Sequence, residues 1–197
     1  MSQSNTDTSS LSGFPAVEKE EEKSQAQQDY EQGMAFLNDK ESAQAAAAFH
    51  NALLGFEQDN DEKGMANASM QLADICLGNE NYEQALKHCA SAEAICASSK
   101  DTFSLICIKE KKAKIYSQWS KYSEAIKLYI ELVDDYNKTR NPQGTVNSLE
   151  TLAELYLQIN DKEKAADSYN TIANIHKSFK HVTYFHRYEK KAAEALK

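Results

Sequence analysis

Residues 69–97 read SMQLADICLGNENYEQALKHCASAEAICA. Apolar and small side chains recur at three- and four-residue spacing on both sides of Gly78-Asn79-Glu80. That is the pattern of two amphipathic helices joined by a tight corner. Ala73, Ala85 and Ala92 stand where such helices must touch. Outward from this stretch the pattern recurs once before and twice after. Ala45, Ala85, Ala125 and Ala165 fall at steps of 40. Gly33, Ala73, Ala113 and Ala153 keep the same step, as do Phe36, Cys76, Tyr116 and Tyr156. So do Phe49, Cys89, Tyr129 and Tyr169, and then Ala52, Ala92, Leu132 and Ile172. Sets of positions that hold their register through the chain define an internal repeat.

A small residue on each of two helices lets their backbones approach, and a larger neighbour fills the edges of the contact. One helical pair cannot bury its apolar stripe alone, so successive pairs stack and share a core. At Gly33-x-x-Phe36 with Ala45-x-x-x-Phe49, and at Tyr82-x-x-Ala85 and Tyr122-x-x-Ala125, the chain resembles the tetratricopeptide repeat (TPR). The resemblance covers about residues 24–180. The usual unit is about 34 residues with a proline near its end; this one steps by 40 and lacks that proline. Longer helices account for the difference. In that respect, and at Asn60–Gly64 and Arg140–Gly144 between units, it is similar to the 40-residue subclass of kinesin light chains and Pins-type scaffolds. The resemblance implies an all-α, right-handed α-solenoid of four TPR-like helical hairpins with a C-terminal capping helix. It also implies a role in protein–protein interaction.

Composition agrees with a helical chain. There are 197 residues, enough for a sizeable core, with only two prolines and six glycines. A net charge of −8 and a pI near 5.2 leave no basic stripe for phosphates, which argues against nucleic acid and anionic membrane surfaces as partners. No apolar run is long enough to span a bilayer, and the N-terminus lacks the features of a signal peptide. These readings predict a cytoplasmic protein, with its four cysteines reduced.

Residues 1–23 are polar and then acidic, and read as a disordered tail in which Phe14-Pro15 is an isolated apolar point. The repeats are expected over 24–181, divided at about 24–60, 61–100, 101–140 and 141–181, with the capping helix over 182–197. Asp101 reads as an N-cap, Asn141-Pro142 as a cap with proline in the first turn, and Asn160-x-x-Glu163 as a variant capping box. In the last helix Phe185, Tyr188, Ala192 and Leu196 form the expected apolar stripe, and His186, Arg187, Lys190 and Lys191 its wet face.

No Gly-rich phosphate loop, nucleophile elbow or His-Glu-x-x-His is present, and the carboxylates are scattered. The chain reads as non-catalytic, with no cofactor and no metal. Cys76, Cys89, Cys96 and Cys107 cluster in sequence without Cys-x-x-Cys spacing. Cys76 and Cys89 stand where the other units carry Phe or Tyr, which favours small buried hydrophobes over ligands and predicts a loosely filled second unit. The histidines at 50, 88, 176, 181 and 186 form no i, i+4 pair and read as solvated.

The remaining candidate is a surface. On the first helix of each unit, the stripe beside the packing stripe faces the concave side that the resemblance implies. It gives a peptide-binding groove of Tyr30, Met34, Leu37, Asn67, Met70, Asp74, Leu77, Glu110, Lys114, Asn147, Glu150 and Glu154. Its first half is apolar and its second mostly acidic, suiting a protein or peptide ligand with basic residues. By resemblance, Asn67 and Asn147 would hold a peptide backbone. Met34, Met70, Leu37 and Leu77 are equally readable as ordinary packing residues. Tyr30 and Met34 stand where a clamp for acidic chaperone tails would begin, which disfavours that ligand. The expected function is a non-catalytic TPR adaptor or scaffold. A dedicated secretion or assembly chaperone is the alternative, and a metal- or redox-responsive sensor built on the cysteines is a third. Monomer and dimer are both compatible with the sequence.

Overall fold

The computed structural model describes residues 23–197; the tail expected over 1–23 therefore lies almost wholly outside the described residues. Nine helices and no strand occur among them: α1 (Gln25–Asn38), α2 (Ser42–Asp59), α3 (Glu62–Gly78), α4 (Tyr82–Ser98), α5 (Thr102–Gln118), α6 (Tyr122–Lys138), α7 (Pro142–Gln158), α8 (Lys162–Ser178) and α9 (Val182–Ala195). Each packs chiefly on the next in the chain, giving an all-α solenoid of stacked hairpins.

The 40-residue step resolves into two steps of 20, because α3 to α8 are each 17 residues long and are separated by three-residue turns. The turns share one construction. Lys40, Asn60, Glu80, Lys100, Ser120, Arg140, Asn160 and Lys180 all adopt φ between 54° and 62°, and none is glycine. At each, two backbone bonds close the helix end in a Schellman motif. At the first turn, the Lys40 N–H donates to the Leu37 carbonyl at 3.1 Å and the Glu41 N–H to the Phe36 carbonyl at 2.8 Å. The residue that donates the longer-range bond also caps the following helix. Asp61, Asn81, Asp101, Asn141 and Asp161 accept the N–H of Gly64, Gln84, Ser104, Gly144 and Lys164. Asp101 and Asn141 are the caps expected, with Pro142 at the first helical turn. The capping box expected at Asn160 does not form: Asn160 takes the left-handed position, and Asp161, one residue later, caps the helix by accepting from the Lys164 N–H.

The repeated small positions are the helix contacts. Ala45, Ala85, Ala125, Ala165, Ala73, Ala113 and Ala153 have no exposed surface. A Cβ on Gly33 would lie 2.8 Å from the Phe49 ring, so this glycine is required for close approach. Between hairpins, rings sit on glycines: a Cβ on Gly64 would fall 2.4 Å from Phe56, and one on Gly144 2.6 Å from Tyr136. The equivalent pair between α4 and α5 is Cys96 with Ser104. The expected looseness within the second unit is not found there. α3 and α4 pack closely, and the sparsest successive contact is α4 on α5.

In α9, Tyr188, Ala192 and Ala195 are buried. Leu196, expected in that stripe, is 58 % exposed because the helix ends at Ala195. Lys191, expected on the wet face, instead reaches Glu150 of α7 at 2.6 Å.

Candidate functional site: a concavity across the first helices

The odd-numbered helices bring several of the expected groove residues together. A concavity of about 470 Å³ spans α3, α5, α6 and α7; Met70, Glu110, Lys114 and Asn147 line it, with Cys107, Lys111, Tyr129, Ser148 and Thr151. Tyr30 and Asn67 instead line a separate concavity of about 300 Å³ nearer the N-terminal end, with Gln27, Asp61 and Lys63. Neither concavity is lined by Met34, Leu37, Asp74, Leu77, Glu150 or Glu154.

Those residues divide by what they touch. Leu77 is 6 % exposed inside the core of α3, α4 and α5, so it is a packing residue and not a groove anchor. Leu37 is half-buried against Ala45 and Phe49. Tyr30 stands edge-on to Phe49 at 5.3 Å and tilted to Phe56 at 6.3 Å, while its hydroxyl accepts from Gln71. Its ring is half-buried against the first hairpin. Met34 is 38 % exposed.

The charged members are less acidic in effect than their sequence suggests. Asp74 is paired with Lys111 on the neighbouring first helix. Burial opposes ionisation of Glu150, but the Lys191 ammonium outweighs it and holds the carboxyl below its usual range. The charge at 150 is thus neutralised locally. Glu110, Lys114 and Glu154 are exposed and take part in no ion pair among the described residues, so the local field is mixed. Burial, then the Glu110 carboxylate, pushes the Tyr136 hydroxyl upward, which keeps that phenol neutral. Asn147 accepts from Gln143 through its amide oxygen at 2.8 Å, which turns the side chain into a fixed polar group.

The cysteines behave as hydrophobes. Burial pushes Cys89 up to about 11 and raises Cys76, Cys96 and Cys107 as well. The thiolate is the reactive and ligating form, so raised values work against a redox or metal role. Among the described residues no group of three or more His, Cys, Asp and Glu side chains converges on a metal-sized space. The histidines form no i, i+4 pair, but His176 and His181 meet across a turn, five residues apart, where helix periodicity does not pair them.

The family model of the tetratricopeptide repeat matches residues 30–100. Comparison with curated protein sequences gives no match. Among solved structures, the apo form of RapI superposes with a TM-score of 0.72 at 13% identity, over 85% of this chain and 46% of that one. TPR-like repeats of a putative kinesin light chain from Podosopora anserina give 0.67 at 15% identity, over 86% and 90%. A Rap protein complexed with competence and sporulation factor gives 0.65 at 13% identity, over 83% and 46%. Residues 30–100 thus match the tetratricopeptide repeat, and the solenoid as a whole is similar in fold to proteins built from such repeats. At these identities the structural likeness is one of fold, and the chain spans about half the length of the Rap proteins it matches. Repeats of the matched family are in general non-catalytic protein-interaction modules. No described helix is long and apolar enough to cross a membrane.

Proposed function

We propose that this protein is a non-catalytic adaptor that holds a peptide or helix of a partner protein in the concavity across α3, α5 and α7. The observation that carries this reading is that concavity, about 470 Å³, where apolar Met70 lies beside Glu110, Lys114 and Asn147. An apolar anchor site rimmed by a few oriented polar groups is what polypeptide recognition requires. The Rap protein complexed with competence and sporulation factor supports the reading by analogy of fold. Selection for basic residues on the partner rests on Glu110, which lines the concavity, and on Glu154, which lies outside its lining but acts with Glu110 on the Tyr129 hydroxyl at its wall; Glu150 already pairs with Lys191. Four free thiols accord with a reducing compartment such as the cytoplasm.

Peptides selected by display on the immobilised protein provide the test, with affinities read by fluorescence anisotropy. Replacing Glu110 and Glu154 together by lysine is expected to weaken basic peptides by roughly tenfold or more, with helicity and melting unchanged. Affinity that ignores both substitutions would rule this surface out.

A further inference from the structure

Each turn of the solenoid holds two residues side by side, because the Schellman bond ties the residue after the left-handed position to the carbonyl five residues earlier. At seven turns the later residue is Glu41, Asp61, Asn81, Asp101, Lys121, Asn141 or Asp161. At the turn from α8 to α9 both are histidine: the His181 N–H donates to the His176 carbonyl at 2.9 Å. The two imidazoles are tilted by 43° with centroids 5.6 Å apart, and their Nδ1 atoms lie 3.4 Å apart.

Both rings are held. His176 stacks on Tyr184 at 4.9 Å and on Tyr188 at 5.5 Å, with interplanar angles of 22° and 11°. His181 stacks on Phe179 at 5.9 Å and 24°. The separation of the nitrogens is long for a hydrogen bond between imidazoles. It is, however, the bite of a tetrahedral metal: two nitrogens at about 2.0–2.1 Å from zinc lie roughly 3.3–3.4 Å apart. Stacked rings on a fixed turn spare much of the ordering cost that a floppy pair would meet. We propose that His176 and His181 form an open, two-imidazole site for a borderline divalent transition metal such as Zn²⁺. Two coordination positions come from the chain, and the others are left to water or an incoming ligand. Metal at this turn would tie the end of α8 to the start of α9.

The test is calorimetric titration of the full reduced chain with zinc chloride near neutral pH, paired with melting curves. One Zn²⁺ per chain is expected, with a rise in melting temperature that grows with zinc concentration. His181 makes no side-chain cap bond, so its replacement leaves the helix start intact. His181→Ala is expected to weaken binding at least as much as the ~10–100-fold typical of losing a mere outer-shell partner, and to abolish the thermal shift. His181→Asn, which supplies the cap residue of α4 and α7, checks that any loss follows the imidazole and not the helix end. His186→Ala and the double change Cys76→Ser, Cys107→Ser should bind as the parent does. Absence of binding at millimolar zinc, full binding by His181→Ala, or loss only in the cysteine variant would each overturn the proposal.

Discussion

The seams between α2 and α3 and between α6 and α7 are closed by a ring lying on a glycine, Phe56 on Gly64 and Tyr136 on Gly144. The seam between α4 and α5 has neither: Cys96 meets Ser104. The two kinds of seam occupy the same repeat positions and differ in how they are held. Where the ring is missing, the glycine that would receive it is missing too, and two small side chains stand in place of a ring and a glycine. Charge takes up part of the difference. Three lysines of α5 reach outward, Lys112 to Glu93 of α4 at 2.9 Å, Lys111 to Asp74 of α3, and Lys109 to Asp135 of α6 at 2.8 Å. The ring-on-glycine seams are therefore fixed by shape, and the central seam by smaller side chains with one partly exposed ion pair across it, Lys112–Glu93.

The difference predicts unequal responses to the same treatment. Tyr136→Ala empties a seam closed by shape and should cost about 3–5 kcal/mol, whereas Cys96→Ala should cost about 1 kcal/mol; denaturant melts of both compare the seams directly. Gly144→Ala drives a methyl into the Tyr136 ring and should cost about 1–3 kcal/mol. Ser104→Ala at the equivalent place loses a hydroxyl that bonds Asp101 and meets Cys96, worth about 1 kcal/mol, and equal costs would erase the distinction. Lys100→Gly relieves a left-handed lysine in the turn leading into the central seam. The relief of about 1–2 kcal/mol, less the greater entropy of an unfolded glycine, should leave a gain of about 0.5–1 kcal/mol in the melt.

Smaller effects separate the seams by ionic strength and pH. Lys112→Met should cost about 0.2–1 kcal/mol at low salt and almost nothing at 1 M, because partly exposed pairs are screened; an undiminished cost at high salt would mean that the lysine stem, not the charge, holds the seam. At the C-terminal end, Glu150 has a folded value below its unfolded one. Its contribution is complete above the unfolded value and is lost as pH falls through the folded one. Glu150→Gln should therefore destabilise at neutral pH and flatten the acid limb of the stability profile, read from denaturant midpoints between about pH 5 and 2.

Much of this architecture was legible in the chain because helix faces are local. A period near 3.6 marks which side of a helix is buried, and the 40-residue step marks which helices are equivalent, so Ala45, Ala73, Ala85 and Ala125 could be named as contacts from spacing alone. The boundary at Asn160 was missed by one residue. An asparagine serves both as cap and as left-handed residue, and only the backbone at φ 60° distinguishes the roles. The pairs at 56 and 64, 96 and 104, and 136 and 144 lie in the same register and were available to a reader who asked which positions complement one another across a seam.

The groove was legible only as a stripe. The sequence by itself determined the repeat, the helix starts and the small residues at the contacts, since each follows from spacing along one chain. Tertiary structure alone decided that Leu77 belongs to the core, that Glu150 spends its charge on Lys191, and that His176 meets His181. Burial and charge pairing depend on what the neighbouring helix presents at each height, and that distance is not written in the periodicity of either helix.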